Sequence, residues 1–241
     1  MALILLEIRH AREVWVAGAI TLAFAVLGRI ARGVSRSGAL AGAIICFLLF
    51  AAAGPGAFAA LVSVFVLTWL STRLGYRQKQ RIGTAQNREG RDATQVLANL
   101  AVSAGCAAVF AVTRNDAWLL ALAAALSEAA ADTVSSELGQ AGSAKARLVT
   151  DWKVVPAGTD GGISVVGTLS GIAAAFLVTL VCAGSRMIPL NRSAASVMAA
   201  LFGMIADSYL GATLERRNVL DNNGVNLLGT LVAAGGALLL A

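Results

Sequence analysis

The sequence predicts an all-α protein, a single polytopic bundle of transmembrane helices occupying residues 1–241. Three observations predict it. Hydrophobic residues make up 58% of the chain and charged residues only 13%, with a mean hydropathy of +0.76, whereas a soluble domain holds about 45–50% apolar residues. Apolar windows close to the roughly 20 residues that a helix needs to cross the bilayer core recur along most of the length. Lys and Arg gather in alternate connections, as they do in the cytoplasmic loops of membrane proteins.

In chain order the windows fall at 13–31, 38–54, 56–74, 93–113, 117–138, 162–184, 193–214 and 223–241. The opening segment carries its charges after its first apolar run and has no small-residue cleavage site, so no cleavable signal peptide is expected. The glycine-rich window 38–54 is the weakest, and Gly54-Pro55-Gly56 joins it to 56–74 as a tight hairpin. Eight spans are expected, with seven as the alternative. The window at 93–113 opens on the polar run DATQVLAN, and 117–138 is apolar but for Glu128, Asp132 and Glu137. The window at 162–184 follows PAGTDGG, 193–214 contains Asp207, and 223–241 follows LDNNGVN.

With helix-end residues counted in the loops they border, fourteen of the nineteen Lys and Arg fall near 32–37, 75–92, 139–161 and 215–222. The positive-inside rule places these four loops in the cytoplasm and both termini outside it, in the inner or plasma membrane of the cell. The membrane therefore accounts for the net charge of +6, and no nucleic-acid partner is expected. Cys46, Cys106 and Cys182 all lie in apolar windows without metal-ligand spacing, and read as packing residues.

An ionised side chain inside a membrane span costs several kcal/mol unless it is paired, and such residues mark functional sites. Glu128 and Asp132 are four apart, so both carboxylates share one helix face. Two carboxylates one turn apart need a cation or a proton between them. Mg²⁺ suits this pattern, because it takes one or two carboxylates plus substrate phosphates. Glu137 lies about 140° around the helix from Asp132 and faces a different contact. An ion pair with an arginine at a helix end is the structural alternative for it. Ala131-Asp132-Thr133 has a counterpart in Ala206-Asp207-Ser208, at similar depth in a parallel span.

Anion ligands are expected on the same face. Gly161 and Gly162 precede a helix whose first turn holds Ser164, an arrangement of backbone N–H groups suited to phosphate. Arg91 and Lys153 supply positive charge. Gln95 and Asn99 share a face at the start of 93–113, and Asp221, Asn222 and Asn226 crowd the last loop. Asp221 could equally cap the final helix. Ser35-x-x-Gly38-x-Leu40-x-Gly42 echoes Ser164-x-x-Gly167-x-Leu169-x-Gly171, with a looser copy from Asn226. The echo is compatible with an internal helix-pair repeat and equally with small-residue helix packing.

The ordered runs GRDATQVLAN, ADTVSSELG, PAGTDGGISVVGTLSG, ADSYLGATLE and LDNNGVN resemble the DUF92/TMEM19 family of integral membrane proteins, over about residues 35–240. The resemblance implies a helical membrane fold. It further implies the activity of the family's phytyl-phosphate kinases, which convert an isoprenyl monophosphate to its diphosphate at the expense of a nucleoside triphosphate. Phosphoryl transfer asks for positioning and charge neutralisation more than covalent chemistry. On this reading Asp132, Asp207 and Glu137 are catalytic, and Asp132, Asp207 and Glu128 hold Mg²⁺. Arg91, Asn99, Lys153, Gly161, Gly162, Ser164, Asp221, Asn222 and Asn226 receive the phosphates and nucleotide, CTP or another NTP. The expected partners are an isoprenyl monophosphate, membrane lipids and, in a homo-oligomer, further copies of the chain. The competing class is a transporter or flippase for an anionic lipid or small solute. The missing DxxDGxxAR run speaks against a CDP-alcohol phosphotransferase, and the single His10 against a His-based phosphatase.

Overall fold

The computed structural model describes residues 2–142 and 145–241, with side chains from Val14 onward. Among the described residues eight α-helices carry the fold: α1 (Ala2–Ile30), α2 (Arg36–Arg73), α3 (Tyr76–Ile82), α4 (Ala93–Thr113), α5 (Ala117–Gly142), α6 (Val165–Gly184), α7 (Ser193–Leu210) and α8 (Asn222–Leu239). Among the described residues, five stretches are long and apolar enough to cross a membrane: α2, α4, α5, α6 and Leu190–Glu215, which includes α7. Val14–Ile30 in α1 is a shorter apolar helix.

α2 is two limbs, as Gly54-Pro55-Gly56 predicts. Gly54 adopts φ 79° and ψ −170°, a conformation open to a residue without Cβ, and Pro55 restarts the helix. The limbs fold back on each other. Trp69 Nε1 donates to Ala31 O at 3.0 Å, and the Arg73 guanidinium donates to the same carbonyl. The far end of α2 therefore returns to the segment that precedes its start. With α2 counted as two, eight long helical limbs alternate in direction. One face of the bundle gathers the 31–35 turn, the 75–92 connection and the starts of α4, α6 and α8. The other gathers Gly56 against Ser185 and Met187, and Arg192, which donates to Leu240 O at 2.9 Å.

α5 is the axis of the bundle. Every residue from Leu120 to Ala131 is buried, and α2, α4, α6, α7 and α8 all pack on it. A helix that is apolar on all sides belongs at the centre, and its run of alanines allows neighbours on every face. A side chain on Gly167 of α6 would press on the Ser135 carbonyl at 2.6 Å, so α5 and α6 pack backbone to backbone. A buried hydroxyl chain fastens the same region. Ser127 and Thr179 lie 3.0 Å apart, and Thr179 and Ser196 3.1 Å apart, linking α5, α6 and α7.

Two features of the connections were not expected. The basic 75–92 segment contains α3. Helix α5 runs on to Gly142, and the stretch 145–163 holds a small antiparallel sheet in the order β2-β1-β3, with β1 at Lys145–Leu148, β2 at Val154–Pro156 and β3 at Gly162–Ile163. The all-α expectation holds for the bundle and gains this sheet at one face. Alternation of Ala146 and Leu148, both buried, with exposed Lys145 and Arg147 marks β1 as a half-buried strand.

The α5–α6 packing has a measurable consequence. Gly167→Ala drives a methyl into the Ser135 carbonyl and is expected to cost about 1–3 kcal/mol, lowering the thermal unfolding midpoint in detergent. Gly105→Ala, in α4 with open space around the new methyl, is expected to leave that midpoint unchanged or raise it.

Candidate functional site

Most of the sequence-predicted residues line one polar chamber of about 260 Å³ at the face that holds the small sheet; Glu128, Lys153 and Asp221 do not. Arg91 and Asn99 approach it from the start of α4, Asp132 from α5, Asp207 from α7, and Asn222 and Asn226 from α8. The Asp132 and Asp207 carboxyl groups lie against one another, within hydrogen-bond reach if one of them holds a proton. The echoed Ala-Asp-Thr and Ala-Asp-Ser runs therefore meet face to face.

Glu128 lies one turn deeper on the same face of α5. Its side chain is sealed from solvent, with 1% exposed. Glycines make its seat. A Cβ on Gly203 would fall 2.6 Å from Glu128 Cγ, and one on Gly229 would fall 2.7 Å from Glu128 Oε1 and 3.3 Å from Asp207 Oδ2. Those two carboxyl oxygens are buried and lack a hydrogen-bond partner. Unpartnered buried carboxyl oxygens are costly and call for a proton or a cation.

Glu137 faces elsewhere, as its angle around α5 predicts. Its Oε1 accepts from Thr72 Oγ1 at 3.0 Å, and its Oε2 forms an ion pair with Lys79. Lys79 is fully buried and also donates to Ser71 O at 3.0 Å and Thr72 O at 2.7 Å, the carbonyls that end α2. Glu137 borders the chamber, but its oxygens are engaged in joining α5 to α2 and α3. The partner expected in the sequence was an arginine; the residue found is Lys79.

Arg91 is held by its backbone. Arg91 N donates to Gly33 O at 3.0 Å and Ser35 N donates to Arg91 O at 2.9 Å. Asp92 then caps α4 in a reciprocal box with Gln95. The Arg91 guanidinium makes two long contacts of 3.4 Å to Thr133 Oγ1, and none of the ion pairs among the described residues involves it. Burial pushes its pKa down, while the Glu137 and Asp132 carboxylates hold it up. It is a fixed cation over the acidic chamber.

Gly161, Gly162 and Ser164 line the chamber with much of their hydrogen bonding already committed. Gly162 N donates to Thr159 O at 2.8 Å, and Ser164 Oγ caps α6 by accepting from Gly167 N at 3.1 Å. Gly162 belongs to β3, and its amide is already committed. Lys153 and Asp221 fall outside the chamber lining. Lys153 is 78% exposed and paired with Asp151 at 2.7 Å, and it holds the Asp151 carboxyl below its usual range. Asp221 caps α8 by accepting from Gly224 N at 2.9 Å.

The chamber has lining residues that were not anticipated from the sequence, among them Gln86, Thr133, Asp160, Ser208 and Glu215. Glu215 is delivered by a π-helical turn, Gly211–Glu215, that follows α7. Such a turn shifts the register that sequence spacing assumes, and π turns are frequent at functional sites.

Beside the chamber lies an apolar groove of about 500 Å³ between α1, both limbs of α2, and α4. The two cavities share Gln86, Arg91, Gln95 and Asn99. A third, open polar cleft lined by Thr84, Asn87, Glu89 and Asn223 meets the chamber at Thr84, Gln86 and Gln95. Among the described residues no three His, Cys, Asp or Glu close into a metal-binding cluster. The donor set is the Asp132–Asp207 pair with the buried oxygens of Glu128 and Asp207 beneath it.

Fold and site together define a multi-helix membrane protein with an acidic chamber at one face that opens into an apolar groove. Residues 19–234 match the model of the integral membrane protein family DUF92, and the chain belongs to that family. An uncharacterized membrane protein of Methanocaldococcus jannaschii is 33% identical over 86% of this chain and 86% of its own length. Protein VTE6, chloroplastic, of Arabidopsis thaliana is 29% identical over 83% of this chain and 64% of its own. Protein PGR, also of Arabidopsis thaliana, is 30% identical over 84% and 87%. No solved structure matches the chain.

The Lys79–Glu137 pair predicts a non-additive stability cycle. Lys79→Met leaves a carboxylate uncompensated at the α2–α5 contact and is expected to cost about 3–5 kcal/mol. The double variant Lys79→Met/Glu137→Leu is expected to recover most of that loss in thermal unfolding. A double variant no more stable than Lys79→Met would show that the pairing is not what holds the contact.

Proposed function

We propose that the protein transfers the terminal phosphoryl group of a nucleoside triphosphate to an isoprenyl monophosphate of the phytyl or geranylgeranyl type. The observation that carries this reading is the junction at Arg91, where an apolar groove meets an acidic polar chamber. A lipid phosphate is the substrate such a junction suits, with its chain in one cavity and its charge in the other. Resemblance to the phytyl-phosphate kinases supports the same reaction. The open polar cleft beside the chamber gives the nucleotide a route from water. The chamber face is the basic one, which on the positive-inside rule is cytoplasmic.

An oxygen of the acceptor phosphate attacks the terminal phosphorus, the bond from that phosphorus to its bridging oxygen breaks, and a nucleoside diphosphate leaves with the electron pair. Arg91 holds the acceptor phosphate at the mouth of the groove, because a guanidinium offers planar paired donors that match phosphate oxygens. Asn99, Asn222 and Asn226 orient the phosphate chain through amide hydrogen bonds.

Asp132 and Asp207 would hold Mg²⁺. Two facing carboxylates fit the one or two that this ion usually takes, with substrate phosphates and waters completing its shell. When bound, the ion neutralises charge on the transferring phosphates. Glu128 keeps the Asp207 carboxyl from turning inward, since both face the Gly229 backbone. Glu137, through Lys79, keeps the end of α2 and the groove wall in place beside the chamber.

Purified protein in detergent, given geranylgeranyl monophosphate, Mg²⁺ and each of the four NTPs, is expected to form the diphosphate. Excess EDTA is expected to abolish product, and Asp132→Asn or Asp207→Asn to lower the rate at least about a hundredfold. No diphosphate with any NTP, across geranyl to geranylgeranyl acceptors, would overturn the reading. Proton- or sodium-driven lipid movement without NTP consumption would replace it with a transporter.

A further inference from the structure

The groove has a chemistry and a depth of its own. Its mouth carries Arg32, Arg73, Arg88 and Arg91, and its described lining includes no acidic residue. Its body is apolar, walled by Phe24 of α1, by Val64 and Phe65 of the second α2 limb and by Leu100 of α4. A basic mouth over an apolar body selects an anionic head on a hydrocarbon chain. Along the second limb of α2 the lining runs from Arg73 to Leu61, a rise of about 18 Å at 1.5 Å per residue.

One position along this path is conspicuously empty. Gly38 packs against the Arg91 carbonyl, so it marks the mouth. Gly42 lies one turn further in, about 6 Å deeper. It lines the groove, and a Cβ placed on it meets no atom within 4 Å. A helix-interior glycine that nothing crowds is not there for packing, since it costs helix stability relative to alanine. What it leaves is open volume inside the groove.

We propose that Gly42 sets the acceptor's chain selectivity: the hydrocarbon chain of a lipid monophosphate enters past Arg91, lies across Gly42, and reaches the groove end near Phe24 and Leu61. This rests on the kinase reading for the identity of the reacting head group, while the groove's occupant follows from its own lining. A larger side chain at residue 42 shortens the usable groove to its outer part and so disfavours long chains more than short ones.

The test uses Gly42→Ala, Gly42→Leu and Gly42→Phe in the full-length protein, with Gly105→Leu as a control. Gly105 has similar open space but does not line the groove. Two readouts are taken with geranyl, farnesyl and geranylgeranyl monophosphate: kcat/KM for diphosphate formation, and the shift in thermal unfolding midpoint that each lipid produces without nucleotide. The ratio of long-chain to short-chain kcat/KM is expected to fall in the order Ala, Leu, Phe. It is expected to drop by about tenfold or more in Gly42→Phe, as burial of several methylenes is lost. The lipid-induced midpoint shift follows the same order, and Gly105→Leu behaves as wild type. If Gly42→Phe fails to fold, the Leu variant carries the comparison. Wild-type chain preference in Gly42→Leu and Gly42→Phe, by both readouts, overturns the proposal. Midpoint shifts that follow the series while wild type forms no diphosphate would sustain the groove assignment and overturn the kinase reading instead.

Discussion

Three carboxyl groups brought together inside an apolar bundle are the constraint on which the rest of this structure depends. Glu128, Asp132 and Asp207 lie at the meeting of α5, α7 and α8, and two of their oxygens have no partner in the protein. Charge at such depth is costly unless it is paired, so the neighbourhood is shaped around it. The helices that meet there are small-residue helices because larger side chains would occupy the space the acids need. Gly203 and Gly229 are the clearest cases, since a methyl on either would strike Glu128. The acids also explain why α5 is central. Its alanine-rich turns seal Glu128 below, while its polar last turns open into the chamber above.

The second organising feature is the meeting of two environments along Gln86, Arg91, Gln95 and Asn99, with Arg91 the one charged residue among them. Arg91 has an apolar groove on one side and an acidic chamber on the other. Its backbone is bridged to Gly33 and Ser35, and the helix that begins after it is capped at its N-terminus by the reciprocal Asp92–Gln95 box. A cation held by main-chain bonds loses little freedom when it meets an anion, so the cost of binding is reduced before the ligand arrives. The Lys79–Glu137 pair serves the same end at longer range. It ties the last carbonyls of α2, which walls the groove, to α5, which walls the chamber.

Much of the bundle was legible because membrane helices announce themselves by composition. The windows at 93–113 and 117–138 coincide with α4 and α5 nearly end to end, and the Gly-Pro-Gly hairpin was readable because glycine can leave the helical conformation where proline interrupts the hydrogen-bond ladder. Asp132 and Asp207 were readable for the converse reason, as exceptions to an apolar background. In the connections that contrast disappears. Lys79 sits in a basic run where an interfacial anchor and a buried ion-pair partner look alike, and only the return of α2 beside α5 tells them apart. Lys153 and Asp221 have the right chemistry, yet a β-turn neighbour and a helix cap claim them first. Glu215 reaches the chamber through a π turn, whose extra residue per turn no helical-wheel argument anticipates. The short sheet leaves little trace in the sequence because β1 and β2 are only four and three residues long.

The echoed Ser-x-x-Gly pattern acquires a physical meaning that does not require common ancestry. Ser35 and Ser164 each cap their helix by accepting from the glycine three residues on. Those glycines, with Gly229 in the looser copy, each face an oxygen of a neighbouring element: Arg91 O, Ser135 O and Glu128 Oε1 respectively. The third copy shares the packing but not the cap, which α8 takes from Asp221 instead. If capping were what the pattern serves, the third copy would keep its cap. What all three keep is the close approach of a helix to an oxygen-bearing surface: Gly38 beside the groove, Gly167 against the α5 turn that borders the chamber, and Gly229 against the buried Glu128. Duplication is one route to such a pattern. The need to bring helix backbones against polar atoms without an intervening side chain is sufficient to produce it.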